Sequence, residues 1–267
     1  MPFGTMKIHA WAKTLPRLMW GLCLGGALAE PVWAQTSDLV SENALRVCAD
    51  PANYPMSAQD ESGYENKLAE FVGEKLELPV QYTWFPMATG FVRNTLGAKQ
   101  CDLIIGYAQG HELVLNTNHY FTSAYALIVP KDGPLADVDS LTDPALQGKR
   151  IGIVAGTPPA AHLARNGLIG TAKAYNLMVD RRHESPADDM LNELAEGELQ
   201  AVPLVTDELP PRLFFRITMG VRLGEKGWQR ELNSLIRRNQ DEINALLIES
   251  GVPLTNDMGT EVMELSQ

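Results

Sequence analysis

Three short apolar runs rich in β-branched and aromatic residues, set apart by stretches of helical spacing, constrain the first half of this chain to an α/β fold. Ala44 to Ala49 (ALRVCA) reads as a strand, and Leu68, Phe71, Val72 and Leu76 predict a helix over Tyr64 to Leu76. Leu78 to Phe85 (LPVQYTWF) reads as a second strand, a further helix begins at Phe91, and Cys101 to Gly106 (CDLIIG) and Tyr125 to Lys131 (YALIVPK) read as the next strands. A βαβαβ order closes into a parallel sheet through right-handed crossovers.

After a polar, proline-containing segment from Asp132 to Gly148 the pattern restarts. Lys149 to Ala155 (KRIGIVA) predicts a strand, and Gly156-Thr157-Pro158-Pro159 leads into a helix from Ala160. Tyr175 to Val179 reads as a strand, Ala187 to Ala195 as a helix, Leu199 to Val205 as an apolar run and Phe214 to Arg222 as a strand. One long amphipathic helix is expected from Lys226 to Ser250, capped by Gly251, with a polar, acidic and disordered tail from Thr255. The expected fold is therefore α/β with two lobes, each a mostly parallel sheet flanked by helices. Residues 35–128 with 214–267 form the first lobe and 129–213 the second. Ligands of open α/β sheets sit at the carboxyl ends of the strands, so two such sheets face each other across a cleft that closes by a hinge.

Residues 1–34 read as a secretory signal peptide: Lys7, Lys13 and Arg17 precede an apolar run from Leu18 to Leu28, and Val32-Trp33-Ala34 offers a cleavage site after Ala34. The run is well short of the roughly 20 apolar residues that span a bilayer, and no later stretch approaches that length, so the mature chain has no membrane span and belongs in the periplasm. The whole chain carries a net charge of −11, and cleavage removes three basic residues against one acid, Glu30. Nucleic acid is excluded as a partner, because phosphate binding needs clustered Lys and Arg. Of three cysteines, Cys23 leaves with the signal. Cys48 and Cys101 then meet an oxidising compartment, where a disulfide is favoured over a metal site, since no His or Cys stands near either at ligand spacing.

The chemistry-bearing residues point to binding rather than catalysis. None of the five histidines is paired as in HExxH, and GIVAG and GYAQG lack the nucleotide-binding glycine patterns, so no catalytic residue, metal ligand or cofactor site is assigned and the chain is not read as an enzyme. Candidate cleft residues follow the strand ends. Asp50 and Tyr54 lie after the first strand, Trp84 and Phe85 (with Met87 beyond) at the end of the second, and Gly106 and Tyr107 at the end of the third. Arg93 is a helix residue with a minority claim. Gly156 and Thr157 open a helix, but the prolines after them remove two N–H donors, which favours a neutral or apolar ligand over an anion.

Several of these strings carry a resemblance. Leu45 to Asn53 (LRVCADPAN), Gly63-Tyr64-Glu65-Asn66-Lys67, Tyr82 to Pro86 (YTWFP), Gly90 to Leu96 (GFVRNTL), Cys101 to Gly106, Val154 to Pro159, Ile217 to Arg222 and Gly251 to Leu254 together resemble the solute-binding-like J-type methanol-oxidation proteins. These are encoded with pyrroloquinoline quinone (PQQ) methanol dehydrogenases and are an offshoot of extracellular solute-binding protein family 3. The resemblance implies a two-lobed periplasmic binding-protein (type II) fold and neighbouring strands for Cys48 and Cys101. Its functional implication is an accessory role towards a PQQ methanol dehydrogenase; the alternative is a solute receptor of an ABC transporter with a small-molecule ligand. Two departures stand out. Family receptors for amino acids place an arginine after the third strand, and Tyr107 to Leu113 (YAQGHEL) has none. After the helix near Gly197, Glu198 runs directly into Leu199, where the family has a buried strand and a Gly-Pro turn. Either the second lobe is short of a central strand or Leu199 to Val205 takes its place.

Overall fold

The apolar runs of the first half become a sheet whose strands share one core. In chain order the elements are β1 (Leu45–Ala49), β2 (Ala52–Asn53), β3 (Ser57–Ala58), α1 (Tyr64–Leu76), β4 (Val80–Trp84), α2 (Phe91–Asn94), β5 (Ile104–Ala108), β6 (Leu115–Ala124), β7 (Ala126–Pro130), β8 (Ile151–Val154), α3 (Pro159–Arg165), β9 (Ala172–Tyr175), β10 (Leu199–Pro203), β11 (Phe214–Val221), α4 (Lys226–Arg238) and α5 (Gln240–Glu249). The computed structural model describes residues 40–110, 112–176, 190, 192–193, 199–207, 209–259 and 262. The expected signal peptide, most of the helix expected over 187–195 and the end of the strand expected to reach Val179 lie outside the described residues.

β1 pairs in parallel with β4, Leu45 opposite Val80 through Ala49 opposite Trp84, and Val47 bridges in parallel to Leu103 just before β5. β8 and β9 form a second parallel pair, Ile151 opposite Ala172. The sheets are nonetheless mixed: β11 runs antiparallel between β5 and β6, and β10 runs antiparallel along β7. The largest apolar cluster gathers Leu45 and Val47 of β1, Leu68 and Val72 of α1, and Met219 and Val221 of β11 under Trp228, Leu232, Ile243 and Leu247 of the closing helices. Each such fully buried side chain contributes roughly 1.5–3 kcal/mol. A second cluster holds Leu146, Ile151, Ile153, Leu163, Leu204 and Leu213, and a third surrounds Cys48 and Cys101.

Three sequence expectations are corrected. The ten-residue strand β6 was not anticipated. The closing helix is two helices, interrupted at Asn239, whose side-chain amide donates to the Leu235 carbonyl (2.7 Å). The tail expected to be disordered from Thr255 begins ordered: Thr255 is buried and its N–H donates to the Thr122 carbonyl at 2.9 Å.

Cys48 and Cys101 are bonded, with Cα atoms 5.5 Å apart and both side chains buried. Beside them Asp102, 1% exposed, accepts from Arg46 Nε and Nη2 (2.7 Å each) and from Arg222 Nη2, while Arg222 Nε donates to Glu225 at 2.7 Å. Trp228 Nε1 donates to the Asp102 carbonyl at 3.1 Å. Burial pushes the Asp102 carboxyl up, but the hydrogen bonds from Arg46 and Arg222 outweigh it and hold the group below its usual 3.8. A depressed folded pKa stabilises above the unfolded value and is lost as pH falls through the folded one. Asp102→Asn removes the carboxylate charge that Arg46 and Arg222 share, so chemical denaturation at pH 7 should show a loss of about 3–5 kcal/mol and a flatter acid limb below about pH 4. Reducing the disulfide, which closes a loop of 53 residues, should cost about 4 kcal/mol in the same assay.

Candidate functional site

The carboxyl ends of β1, β4 and β5 are tied together by one side chain. Asp50, fully buried, follows β1; its Oδ1 accepts the Ala52 N–H at 2.9 Å and its Oδ2 the Met87 N–H at 2.6 Å, which binds the turn after β1 to the loop after β4. Its carbonyl takes the Ser57 hydroxyl at 2.9 Å, fixing the β2–β3 hairpin. Asp50 therefore frames the site from beneath, while Tyr54, at the tip of that hairpin, is 66% exposed.

Strand alternation divides the aromatics of β4. Trp84 stacks on Tyr82 with centroids 4.6 Å apart and planes 20° apart. Phe85 points to the other side, its ring 6.4 Å from Phe91, and packs with Met87 and Tyr107 on the cluster around the disulfide. Trp84, Phe85, Met87 and Tyr107 remain only partly buried, on the two sides of a half-apolar shelf at the strand ends. Tyr107 keeps its backbone carbonyl on the Thr218 hydroxyl (2.9 Å), and burial pushes its own hydroxyl pKa up.

Gly106 has a reason the sequence did not disclose. A Cβ built there would sit 1.9 Å from Glu65 Oε1, so any side chain would displace the Glu65 carboxyl. Glu65, in the first turn of α1, is 8% exposed; burial, then the negative charge of Asp50, push its pKa up to about 8. At neutral pH it is a protonated acid, able both to donate and to accept a hydrogen bond. The only signal for it was its place in the Gly63 to Lys67 string; the burial comes from a partner glycine far along the chain.

The remaining candidates stand apart. Arg93 is exposed on the one-turn helix α2. Gly156, at φ +80°, and Thr157 follow β8, where the Thr157 hydroxyl is spent on the Val154 carbonyl at 2.7 Å. β8 pairs with β9, in a sheet separate from those of β1, β4 and β5. His162, buried on α3, bonds the Pro211 carbonyl at 2.6 Å and secures the return loop. A cavity of about 490 Å³ between β6 and the closing helices takes in none of the shelf residues, and its walls are already bridged by His119 to Asp257 (3.0 Å) and Gln240 to the Tyr120 carbonyl (2.7 Å). Among the described residues no cluster of His, Cys, Asp or Glu suits a metal ion.

A raised acid pKa favours folding below the unfolded value, and that advantage is lost as pH rises towards the folded one. Stability should thus decline from about pH 4.5 to pH 8, and Glu65→Gln should flatten the decline in a thermal-unfolding series across that range. Gly106→Ala should lower stability by about 1–3 kcal/mol through overpacking.

No protein-family model matches the chain. The protein MoxJ of Methylorubrum extorquens is 28% identical over 274 residues, spanning 85% of this chain and 90% of that one. The crystal structure of MxaJ from Methlophaga aminisulfidivorans MPT shares the fold at TM-score 0.68 and 24% identity, over 79% of this chain and 100% of that one. The crystal structure of the periplasmic binding protein XoxJ from Methylobacterium extorquens AM1 superposes at TM-score 0.67 with 36% identity, over 80% of this chain and 100% of that one. With the whole of XoxJ covered at 36% identity, the chain belongs to the XoxJ- and MoxJ-like family of periplasmic binding proteins.

Proposed function

We propose that this protein is a non-enzymatic, periplasmic accessory of a PQQ-dependent methanol dehydrogenase system, exported by cleavage near Ala34, and that it holds a segment of the dehydrogenase during maturation or activation. The observation that carries the reading is the shelf at the ends of β1, β4 and β5. It offers Trp84, Phe85 and Tyr107 with an exposed Tyr54; of the two buried acids beneath it, Asp50 is taken up by the Ala52 and Met87 N–H groups and Glu65 is neutral at pH 7. Aromatic groups of this kind are the residues that dominate protein–protein contacts. The segment from Tyr107 to Leu113 has no arginine to clamp a ligand carboxylate, which speaks against an amino-acid receptor of an ABC transporter.

In this reading residues 35–128 with 214–267 form one lobe and 129–213 the other. Gly156 and Thr157 stand on the second lobe's side of the cleft, with Arg93 at the rim of the first. The resemblances to MoxJ, MxaJ and XoxJ support the link to methanol oxidation. The test is a pull-down of the mature chain, from Gln35 on, with the PQQ methanol dehydrogenase of its own organism, alongside dye-linked activity. Co-elution with a change in activity is expected, and Trp84→Ala should weaken binding about thirtyfold if the ring is an anchor worth about 2 kcal/mol. Failure of a folded sample to associate would contradict the reading and return the cleft to small solutes, screened by thermal shift.

A further inference from the structure

β6 passes through Tyr125 directly into β7, and the chain returns through Leu213 into β11. Tyr125 ties these crossings together: its N–H donates to the Leu213 carbonyl at 2.7 Å, and its carbonyl accepts the Leu204 N–H at 2.8 Å. Its ring stands edge-on to Phe215, with centroids 5.5 Å apart. The backbone here is what must turn if the β7–β10 pair moves relative to the β5–β11–β6 sheet, because hinges lie in a few residues at the ends of elements.

The C-terminal segment reaches the same place. Beyond Thr255 the chain turns at Asn256, whose carbonyl accepts the Gly259 N–H at 2.9 Å and whose side-chain oxygen accepts the Met258 N–H at 3.2 Å. The turn is held to β6 by His119, which donates to the Asp257 carboxylate at 3.0 Å, and to β11 by Arg216, which donates to the Asp257 carbonyl at 3.0 Å. Gly259, at φ +68°, rests on the first residue of β11 so closely that a Cβ would lie 2.2 Å from Phe214 Cγ. The Arg212 guanidinium lies over the same ring, 5.1 Å from its centroid. Met258 and Gly259 border a cavity of about 210 Å³ together with Leu204, Val205 and Asp207, so the turn stands beside the residues that leave β10. These holds are few: Asp257 and Met258 are both exposed, and an exposed ion pair contributes little. A segment kept down by so few buried contacts opens far more readily than the core.

We propose that the turn from Asn256 to Gly259 is a latch on the hinge. Seated on Phe214, it fixes the start of β11 and with it the tie between Leu213, Tyr125 and Leu204, so that the lobes keep one arrangement. When the turn lifts, Phe214 and Arg212 are released and the crossing bends. The inference rests on the division into lobes, residues 35–128 with 214–267 against 129–213, and not on what the shelf at β1, β4 and β5 binds.

Nitroxides at Glu74→Cys and Lys149→Cys, both exposed and one on each lobe, report the separation of the lobes by double electron–electron resonance in the mature chain from Gln35, its disulfide intact. The parent should give one narrow distance. Gly259→Val, which cannot rest on Phe214, and Asp257→Ala, which removes the carboxylate that His119 holds, should broaden that distance or add a second one. In both, the Thr255 and Tyr125 amides should exchange at least about tenfold faster than in the parent. Tyr125→Gly loosens the crossing itself and should broaden the distance with the turn still seated. A parent with two distances, or Gly259→Val and Asp257→Ala samples that keep the single one, would overturn the latch. A single distance in Tyr125→Gly as well would overturn the division into lobes along with it.

Discussion

Asp102 stands at the junction on which the first half of the molecule is assembled. It follows Cys101 in the chain, so the disulfide that fixes β1 to the start of β5 also fixes the carboxylate. Arg46 of β1 and Arg222, next after β11, converge on it, and Trp228 of α4 bonds its carbonyl. Three segments distant in sequence thus meet at one buried acid. Removing one partner of such a network leaves charge uncompensated in the core, which is why it specifies a single arrangement more strongly than its net stabilisation suggests.

That junction lies at the starting ends of the strands and leaves their carboxyl ends free for function. There the order comes from Asp50, whose two oxygens hold the loops after β1 and β4, and from the match of Gly106 to Glu65. A protonated carboxyl beside half-buried aromatics makes a surface suited to neutral and apolar groups. Among the described residues the second half has no equivalent junction; β7 and β8 are joined through the apolar cluster of Leu146, Ile151 and Leu204, on which Leu127 packs.

What could be read from the sequence follows from where burial is one-sided. α1 and β1 were visible because their apolar residues keep a regular period. β6 was not: Thr117, Tyr120, Phe121 and Thr122 are its buried residues, and register shifts opposite Ile217 and Thr218 break the two-residue period that would have marked it. The interruption at Asn239 was hidden because the apolar stripe runs on across it, from Ile236 to Ile243. Among the site candidates, Trp84 and Tyr107 could be placed at strand ends by counting. The role of Gly106 could not, because it depends on Glu65, a residue of another element. That Leu199–Pro203 forms a strand along β7 was visible only in the pairing, because its sequence carries no mark of the partner.

A chain organised this way is a binding protein whose first half is held by a buried ionic junction and whose second half is held by apolar packing. Hydrogen exchange of the mature protein, alone and saturated with the quinoprotein dehydrogenase, tests this most directly. The account expects β1, β4 and β5 to exchange slowly in both samples, β7 and β8 to exchange quickly when the protein is alone, and the dehydrogenase to slow exchange around Trp84 and Met87. Exchange as slow in β7 and β8 as in β1, or a pattern the dehydrogenase leaves unchanged, would contradict it.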